Sequence, residues 1–334
     1  MKLSVAGLAL WLAAGWAAAP LVVADVPAAA QQPLPVALVD ALTKLSGGPH
    51  PGMRANHAKG VLVTGRFTPT KAAATLSKAP HFARSVPVLV RFSDPTGVPN
   101  LPDADPNASP HGIAIRFQLP GGTYTDIVSL SANAFPVATP EDFLAFLTAV
   151  AQSGPGAAKP TPIERFLGSH PAALKFVSTP RPAPESFATL AFYGINAFKF
   201  TNAGGVSRYG RYQIRPAAGE HALSDAAAAK AAPDYLMDDL PRRIAKGPVK
   251  FRLLVQLAQP GDPVNDPTVV WPADRKLLEL GTISLTGTVK DQVAEQKALM
   301  FNPLSLLAGI EPSDDPVLLA RPAAYGVSFS RRLQ

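Results

Sequence analysis

The sequence predicts an α+β protein built on an antiparallel sheet or barrel with helices packed around it. Ile113, Ile115 and Phe117 alternate with smaller or polar residues, which is typical of a strand with one buried face. A second group of strand-like segments follows in the C-terminal half, after a stretch with helix signals. No linker or break in composition separates the two groups, which favours a single domain.

The strands are predicted from alternating or β-branched apolar runs that are bounded by glycine and proline. The turn Pro120-Gly121-Gly122 joins two of these runs directly, as expected of antiparallel neighbours. The predicted strands are residues 60–67, 86–93, 112–119, 124–130, 197–202, 206–216, 249–257 and 281–289.

The helices are predicted from apolar spacing and from capping residues. Leucines at positions 34, 38, 42 and 45 repeat at helical spacing, which predicts a short amphipathic helix over residues 31–45. Thr139 is a typical N-cap and Pro140 follows at the first helical position, so another helix is predicted from there to Gln152. Shorter helices are predicted at residues 162–167, 171–177, 224–231 and 235–245.

Composition and short motifs exclude several classes of protein. The chain has no cysteine, so disulfides, iron–sulfur clusters, thiolate haem ligation and cysteine nucleophiles are excluded. The net charge of +7 comes from dispersed basic residues, which does not indicate nucleic-acid binding. There is no phosphate-binding glycine loop, no His-Glu-x-x-His helix and no Gly-x-Ser-x-Gly turn. The six histidines do not cluster at metal-ligand spacing.

Residues 1–30 predict an export signal. Lys2 is the only charge before Asp25, residues 3–23 are apolar, and residues 22–24 or 28–30 fit a cleavage site. The apolar run is also near the length that spans a bilayer, so an uncleaved membrane anchor is the alternative. We expect a periplasmic protein whose mature part, residues 31–334, is one domain.

Five short segments follow one another along residues 51–332. They are Arg54-Ala55-Asn56-His57-Ala58-Lys59-Gly60, Val90-Arg91-Phe92-Ser93, Val270-Trp271-Pro272, Gly309-Ile310-Glu311-Pro312-Ser313 and Arg321-Pro322-Ala323-Ala324-Tyr325. In this order they resemble segments of the monofunctional haem catalases. Each segment alone is weak, but five in the family order are hard to obtain by chance. The resemblance implies a closed antiparallel β-barrel with surrounding helices and a haem b, with its iron, inside.

The resemblance implies three catalytic residues on the peroxide side of the haem. His57 would move a proton between the peroxide oxygens, as an imidazole can near neutral pH. Ser93 would orient its ring. Asn133 would be the second group that orients peroxide, although its spacing to Pro136 differs from the family pattern and Ser131 is the alternative.

On the other side of the haem, the resemblance implies that Tyr325 is the iron ligand. Arg321, one helical turn earlier, would stabilise the phenolate through its fixed charge. The haem propionates would pair with three further arginines, because a forked donor suits a carboxylate, and an aromatic residue would pack on the haem. These cofactor-binding residues are Arg54, Arg91, Arg332 and Phe143.

Taken singly, each of these residues also has a common structural explanation. An isolated histidine such as His57 is usually a surface or structural residue, and a tyrosine such as Tyr325, taken alone, is more often a packed, hydrogen-bonded core residue. The arginines could form ordinary ion pairs, and Phe143 could simply pack in the core. It is their joint occurrence in the family order that favours the functional interpretation.

The chain resembles the catalase-related peroxidases in particular. The arm and C-terminal region of full-size catalases have no counterpart here, so we expect a shorter, wider access route. This favours oxidation of small organic donors by hydrogen peroxide, with weak catalase activity. The alternatives are a true catalase, an allene-oxide-synthase-like lipid hydroperoxide rearrangement, and a non-catalytic haem-binding protein. We expect a monomer or homodimer, and no NADPH, because residues 185–190 lack the family's histidine-rich stretch.

Overall fold

An eight-stranded antiparallel barrel forms the centre of the computed structural model, which describes residues 32–334. Around the barrel the strand order is β7-β5-β4-β3-β2-β1-β9-β8, and pairing of β7 with β8 closes the ring. The short strands β6 and β10 extend from the outer edge of β7. The strands are β1 (Gly60–Pro69), β2 (Val86–Ser93), β3 (Gly112–Gln118), β4 (Tyr124–Leu130), β5 (Phe192–Tyr193), β6 (Phe198–Thr201), β7 (Ser207–Pro216), β8 (Val249–Leu257), β9 (Leu277–Thr288) and β10 (Ile310–Pro312).

Helices pack around this barrel, and the prediction of a closed antiparallel α+β fold is confirmed. Residues 33–334 form one compact unit, while the predicted signal segment, residues 1–30, lies outside the described residues. In residues 32–334 no helix has both the length and the apolar character needed to cross a membrane. The helices are α1 (Leu34–Leu45), α2 (Lys71–Leu76), α3 (Pro140–Ala151), α4 (Pro162–Ser169), α5 (Pro171–Ser178), α6 (Asp225–Ala228), α7 (Tyr235–Lys246), α8 (Gln292–Ala298) and α9 (Pro316–Leu333).

The predicted strands and helices are all present, and the differences fall on elements with little local signal. Strand β9 begins at Leu277, before the predicted residue 281, because it pairs with β8 through a bulge that no sequence pattern marks. Helices α2 and α8 and the strands β5 and β10 were not predicted, since each is too short for a recognisable period. Helix α9 was not among the predicted helices either, and it runs through Pro322, a residue that usually ends a helix.

The barrel interior is filled with apolar side chains. Phe67, Phe92, Phe117 and Phe251 are each at most 1% exposed, and their rings meet neighbouring aromatic rings within the core. An eight-stranded barrel is just wide enough for side chains to fill it. Any large ligand must therefore bind outside the barrel wall, between the wall and the helices.

His81 is a buried histidine in this core and predicts acid sensitivity. Its ring packs on Phe82 and Phe117, its Nδ1 atom has no hydrogen-bond partner, and burial lowers its pKa from 6.5 to about 3. The unfolded chain therefore binds the proton more readily. Its stabilising contribution is complete above pH 6.5 and is lost as the pH falls towards 3.

We expect His81→Leu to reduce the loss of thermal stability between pH 7 and pH 4, because leucine keeps the contacts and cannot be protonated. The measurement is the midpoint of thermal unfolding at a series of pH values. His221→Ala, at an exposed position, is the matched control and should follow the wild-type curve. An unchanged pH dependence in His81→Leu would show that other groups control acid unfolding.

Candidate active site

A cavity of about 260 Å³ lies between the wall of the barrel and the helices α1, α3 and α9. On β2, the side chains of Val90 and Phe92 belong to the barrel core, whereas Arg91 and Ser93 on the opposite face line the cavity. Helix α1 supplies an apolar part of the wall, and α3 supplies Phe143. The chain segments that carry the predicted site residues therefore meet around one space.

His57 enters this cavity from the turn that precedes β1, with an unusual backbone conformation. Its φ angle is 57°, the only positive value for a residue other than glycine among residues 32–334. Such values are uncommon outside glycine and cluster at functional sites. Its backbone N–H points to the carbonyl of Pro95 (3.4 Å), and its own carbonyl accepts a hydrogen bond from Arg91 (2.9 Å). The surrounding segments thus hold the turn in place.

The imidazole of His57 is held by the ends of β2 and β3. Its Nδ1 lies 3.0 Å from the hydroxyl of Ser93. Gly112 is paired with Ser93 across the sheet, and a Cβ atom there would lie 2.9 Å from both the ring and the Ser93 hydroxyl. Glycine is therefore required where the ring rests on the sheet. With Nδ1 engaged by Ser93, the other ring nitrogen, Nε2, is the one left to act in the cavity.

Burial and nearby arginines keep His57 neutral. The pKa of His57 falls from 6.5 to about 3, chiefly through burial and then through the charge of Arg91. A hydrogen bond with the backbone of Asp94 acts in the opposite direction, and Arg54 and Arg321 lower the pKa further. At neutral pH the side chain is therefore a proton acceptor.

Three arginines, Arg54, Arg91 and Arg332, line one part of the cavity close together. Arg54 and Arg332 both donate to the carbonyl of Leu299, at 2.7 and 2.9 Å. Burial, followed by the charge of Arg332, lowers the pKa of Arg91 to about 9. Burial also lowers the pKa of Arg332, to about 10, and that of Arg54, where Arg91 and Arg332 add to the effect.

No carboxylate forms an ion pair with these three arginines within residues 32–334. Asp94 offsets only part of the repulsion at Arg91. Clustered positive charges in a cavity wall are costly when no negative charge is paired with them. The three arginines are therefore suited to a ligand that brings anionic oxygens. Two carboxylates on one ligand would match this arrangement.

Tyr325 lines the cavity from helix α9, and its hydroxyl is fixed by Arg321. The Nε and one terminal nitrogen of Arg321 donate to the Tyr325 hydroxyl at 3.0 and 2.8 Å. The spacing of one helical turn brings the two side chains together, as the sequence predicted. Two hydrogen bonds from one guanidinium fix the phenolic oxygen in the cavity wall, and a phenolic oxygen is a type of ligand that haem iron accepts.

Arg321 is held in turn by two buried residues that the sequence did not single out. Its remaining terminal nitrogen donates to the side-chain carbonyl of Asn196 (2.8 Å), whose amide donates to Asp315 (2.7 Å). Asp315 also caps the start of α9 by accepting from two backbone N–H groups. The Asp315-Pro316 pair is a readable N-cap signal, whereas Asn196 is distant in sequence and carries no such signal.

The predicted site residues line the cavity with one exception, Asn133. Strand β4 presents Val128 and Leu130 to the cavity, and neither Asn133 nor Ser131 is part of its wall. The hydroxyl of Ser131 instead accepts a hydrogen bond from the backbone of His111 (2.9 Å). The chain leaves the strand after Leu130, so the residues that follow turn away. The role of Asn133 stays a prediction.

The chain is similar to known proteins of one family. The sequence profile of the catalase family matches residues 38–334. A catalase-related peroxidase of Mycolicibacterium paratuberculosis is 38% identical over 291 residues, which are 86% of this chain and 91% of that protein. A catalase-related peroxidase of Synechococcus elongatus is 36% identical over 291 residues, with 85% of both chains covered.

Full-size catalases are similar over a smaller share of their own length. The catalase of Mus musculus is 30% identical, and the match covers 84% of this chain but 56% of the mouse protein. Among solved structures, a fungal catalase superposes with a TM-score of 0.76 at 25% identity, covering 89% of this chain and 62% of that one. The overall fold thus matches that of this structural neighbour.

Proposed function

This chain belongs to the catalase family, and from that membership we propose that it is a haem-dependent peroxidase. In this proposal hydrogen peroxide is the oxidant, small organic molecules are the electron donors, and catalase activity is weak. The observation that carries it is that one cavity is lined at once by a neutral imidazole, a phenol fixed by arginine, and three arginines without carboxylate partners.

The residues of the cavity fit haem b. Tyr325 would hold the iron, Arg54, Arg91 and Arg332 would receive the two propionates, and Phe143 would pack on the porphyrin. The fit rests on charge, because the cofactor's carboxylates would neutralise a cluster that otherwise repels itself. The same neutralisation would raise the pKa of His57 by removing the opposing charges of Arg91 and Arg54.

His57 would then move the proton of the substrate. When bound, haem iron supplies the two-electron reduction of peroxide and the later one-electron oxidations of the donor. Neutral His57 can take the proton from the nearer peroxide oxygen through Nε2 and return it to the farther oxygen, which leaves as water. Ser93 keeps the ring orientation constant through its contact with Nδ1.

The apolar side chain of Leu130 in the cavity wall supports weak catalase activity. Hydrogen peroxide that acts as a reductant carries a hydroxyl at each end, and both need hydrogen-bond partners when they are buried. Leu130 offers none, and it pairs directly with Gly112 under the His57 ring. A donor that delivers electrons one at a time does not need this second polar partner.

The test compares oxygen release with donor oxidation in the purified, haem-loaded protein. We expect hydrogen peroxide to drive rapid oxidation of a phenolic or benzidine-type donor and to release little oxygen when the donor is left out. Vigorous oxygen release without donor oxidation would identify a catalase. Consumption of a lipid hydroperoxide without any donor would identify a rearranging enzyme. Absence of all three activities despite haem uptake would leave a haem-binding role.

Arg332 and its neighbour Arg331 provide a matched test of propionate binding. Arg332 is buried in the cavity wall, whereas Arg331 points away and pairs with Asp40 on α1 at 2.5 Å. We expect Arg332→Met to speed haem loss by about 10-fold, the effect of one charge-assisted hydrogen bond in a buried site. Arg331→Met should leave the rate of haem loss unchanged. The measurement is transfer of haem to excess apomyoglobin, and equal rates in both variants would remove Arg332 from the proposed site.

We also propose that the protein is exported and oxidises its donors outside the cytoplasm. The apolar N-terminal run supports export to the periplasm, and the cleavage site and oligomeric state can be measured on the protein recovered from cells. N-terminal sequencing of that protein should begin after residue 24 or residue 30. Recovery of the full-length chain with membranes would indicate an anchor instead.

A further inference from the structure

Behind the active-site imidazole lies a buried pair, His111 and Asp94, for which the proposed mechanism has no role. His111 Nδ1 and Asp94 Oδ1 are 3.0 Å apart, and their side chains are only 3% and 1% exposed. Neither residue lines the cavity. The second carboxylate oxygen of Asp94 has no hydrogen-bond partner and is fully buried. Among residues 32–334, the contact with His111 is therefore the only hydrogen bond that the carboxylate makes.

The pair continues the strand pairing that holds His57. The last paired residues of β2 and β3 are Ser93 and Gly112, the two that contact the His57 ring. Asp94 directly follows Ser93, and His111 directly precedes Gly112. The side-chain bond between them thus fastens the ends of both strands together one position beyond the backbone pairing.

The segment that begins at Asp94 forms the support of the strained turn at His57. The carbonyl of Pro95, the next residue, faces the His57 N–H (3.4 Å). The carbonyl of Thr96 accepts from Ala58 (2.9 Å). A residue with a positive φ persists only when its surroundings hold it there. Displacement of this segment would therefore release the imidazole from its orientation.

The other side of Asp94 is anchored by backbone and by charge. Its N–H donates to the carbonyl of Lys59 (3.2 Å), whose ammonium group is paired with Asp103 (2.5 Å) and Asp234 (2.7 Å). The His111 ring packs edge-on against Phe187 at 5.6 Å between ring centres. The pair is thus enclosed by fixed neighbours. Because His111 and Asp94 have little freedom to move, they hold the backbone at Asp94 in one position.

We infer that His111, acting through Asp94, is a positioning residue for His57 and keeps its Nδ1 on Ser93 and its Nε2 facing the cavity. This inference rests on the proposed function, because it assigns a role in orienting the proton-transferring group. It concerns the second layer of the site, since His111 itself touches neither substrate nor cofactor.

The test uses two variants of His111 and a matched control. His111→Leu removes the contact with Asp94, whereas His111→Gln keeps an N–H group that can donate to the carboxylate. His81→Leu is the control, because His81 is an equally buried histidine in an aromatic environment away from the cavity. Thermal unfolding of all three establishes that each variant is folded.

The first measurement is the crystal structure of each variant, which does not depend on haem uptake. We expect the 3.0 Å contact between His57 and Ser93 to be lost or split into two orientations in His111→Leu, and kept in the other two variants. A retained contact in His111→Leu would overturn the inference. This arm gives an answer even if the proposed function fails because the protein takes up no haem.

The second measurement is cyanide binding to the haem-loaded ferric protein, which requires a base in the cavity to accept the proton of hydrogen cyanide. We expect association to slow by about 10-fold in His111→Leu, the lower end of the effect of losing an outer-layer partner. His111→Gln should recover most of that loss, and His81→Leu should match the wild type. Equal slowing in His111→Leu and His111→Gln would show that the contact with Asp94 is not what matters.

Discussion

Replacement of His57 with alanine is expected to slow the reaction with hydrogen peroxide by about 10²–10⁴-fold, the usual contribution of a positioned acid–base group. The physical reason is that, among the described residues that line the cavity, His57 is the only histidine, so no other imidazole can accept the proton. The measurement is kcat/KM for peroxide at a saturating donor concentration, with the haem absorption spectrum recorded for each variant.

Two variants make this result specific. Ser93→Ala keeps the imidazole but removes its hydrogen bond, so it should cost about 10-fold, as loss of an outer-layer partner does. His221→Ala changes an exposed histidine and should have no effect. A His57→Ala protein that reacts with peroxide at the wild-type rate would rule out the proposed proton transfer.

Replacement of Tyr325 with phenylalanine is expected to have an effect of similar size through the cofactor. Phenylalanine keeps the ring but removes the oxygen that Arg321 holds with two hydrogen bonds. We expect weak haem retention and a changed ferric absorption spectrum. We also expect an activity loss greater than about 100-fold, because loss of a residue that only supports a metal ligand already costs up to about 100-fold. The measurements are haem content after gel filtration, the spectrum and donor oxidation.

The matched control for this change is Tyr193→Phe. Tyr193 also lies beside an arginine, with the Arg215 guanidinium 4.8 Å from its ring centre, but it is not part of the cavity wall. This variant should keep the spectrum and the activity. If Tyr325→Phe retains the wild-type spectrum, another residue must bind the iron.

Two contacts in the cavity, Arg321 with Tyr325 and His57 with Ser93, could be predicted from the sequence because their residues occur in compact stretches. Arg321 and Tyr325 are one helical turn apart, so their contact follows from the helix alone. His57 and Ser93 are separated by 36 residues, yet each lies in a recognisable segment at the start or end of a strand. The strands next to His57 and Ser93 have clear patterns of apolar residues, so they can be predicted from the sequence.

The supporting residues could not be predicted, because their roles depend on what the fold brings beside them. Gly112 is required because a Cβ atom at this position would collide with the His57 ring. Nothing in the strand sequence indicates that an imidazole will lie against this residue. Asn196 meets Arg321 across 125 residues, and His111 meets Asp94 across the end of a strand pair. Asn133 was expected in the cavity on the basis of chain position, whereas strand alternation presents Leu130 instead.

Helix α1 has a consequence for how the protein matures. Leu38, Val39 and Leu42 on this helix line the cavity, and α1 packs against both α3 and the C-terminal helix α9. During synthesis the first segments leave the ribosome long before the last. The cavity between α1 and α9 therefore cannot close until α9 has been synthesised. Under the proposed function, haem would be enclosed only after that point.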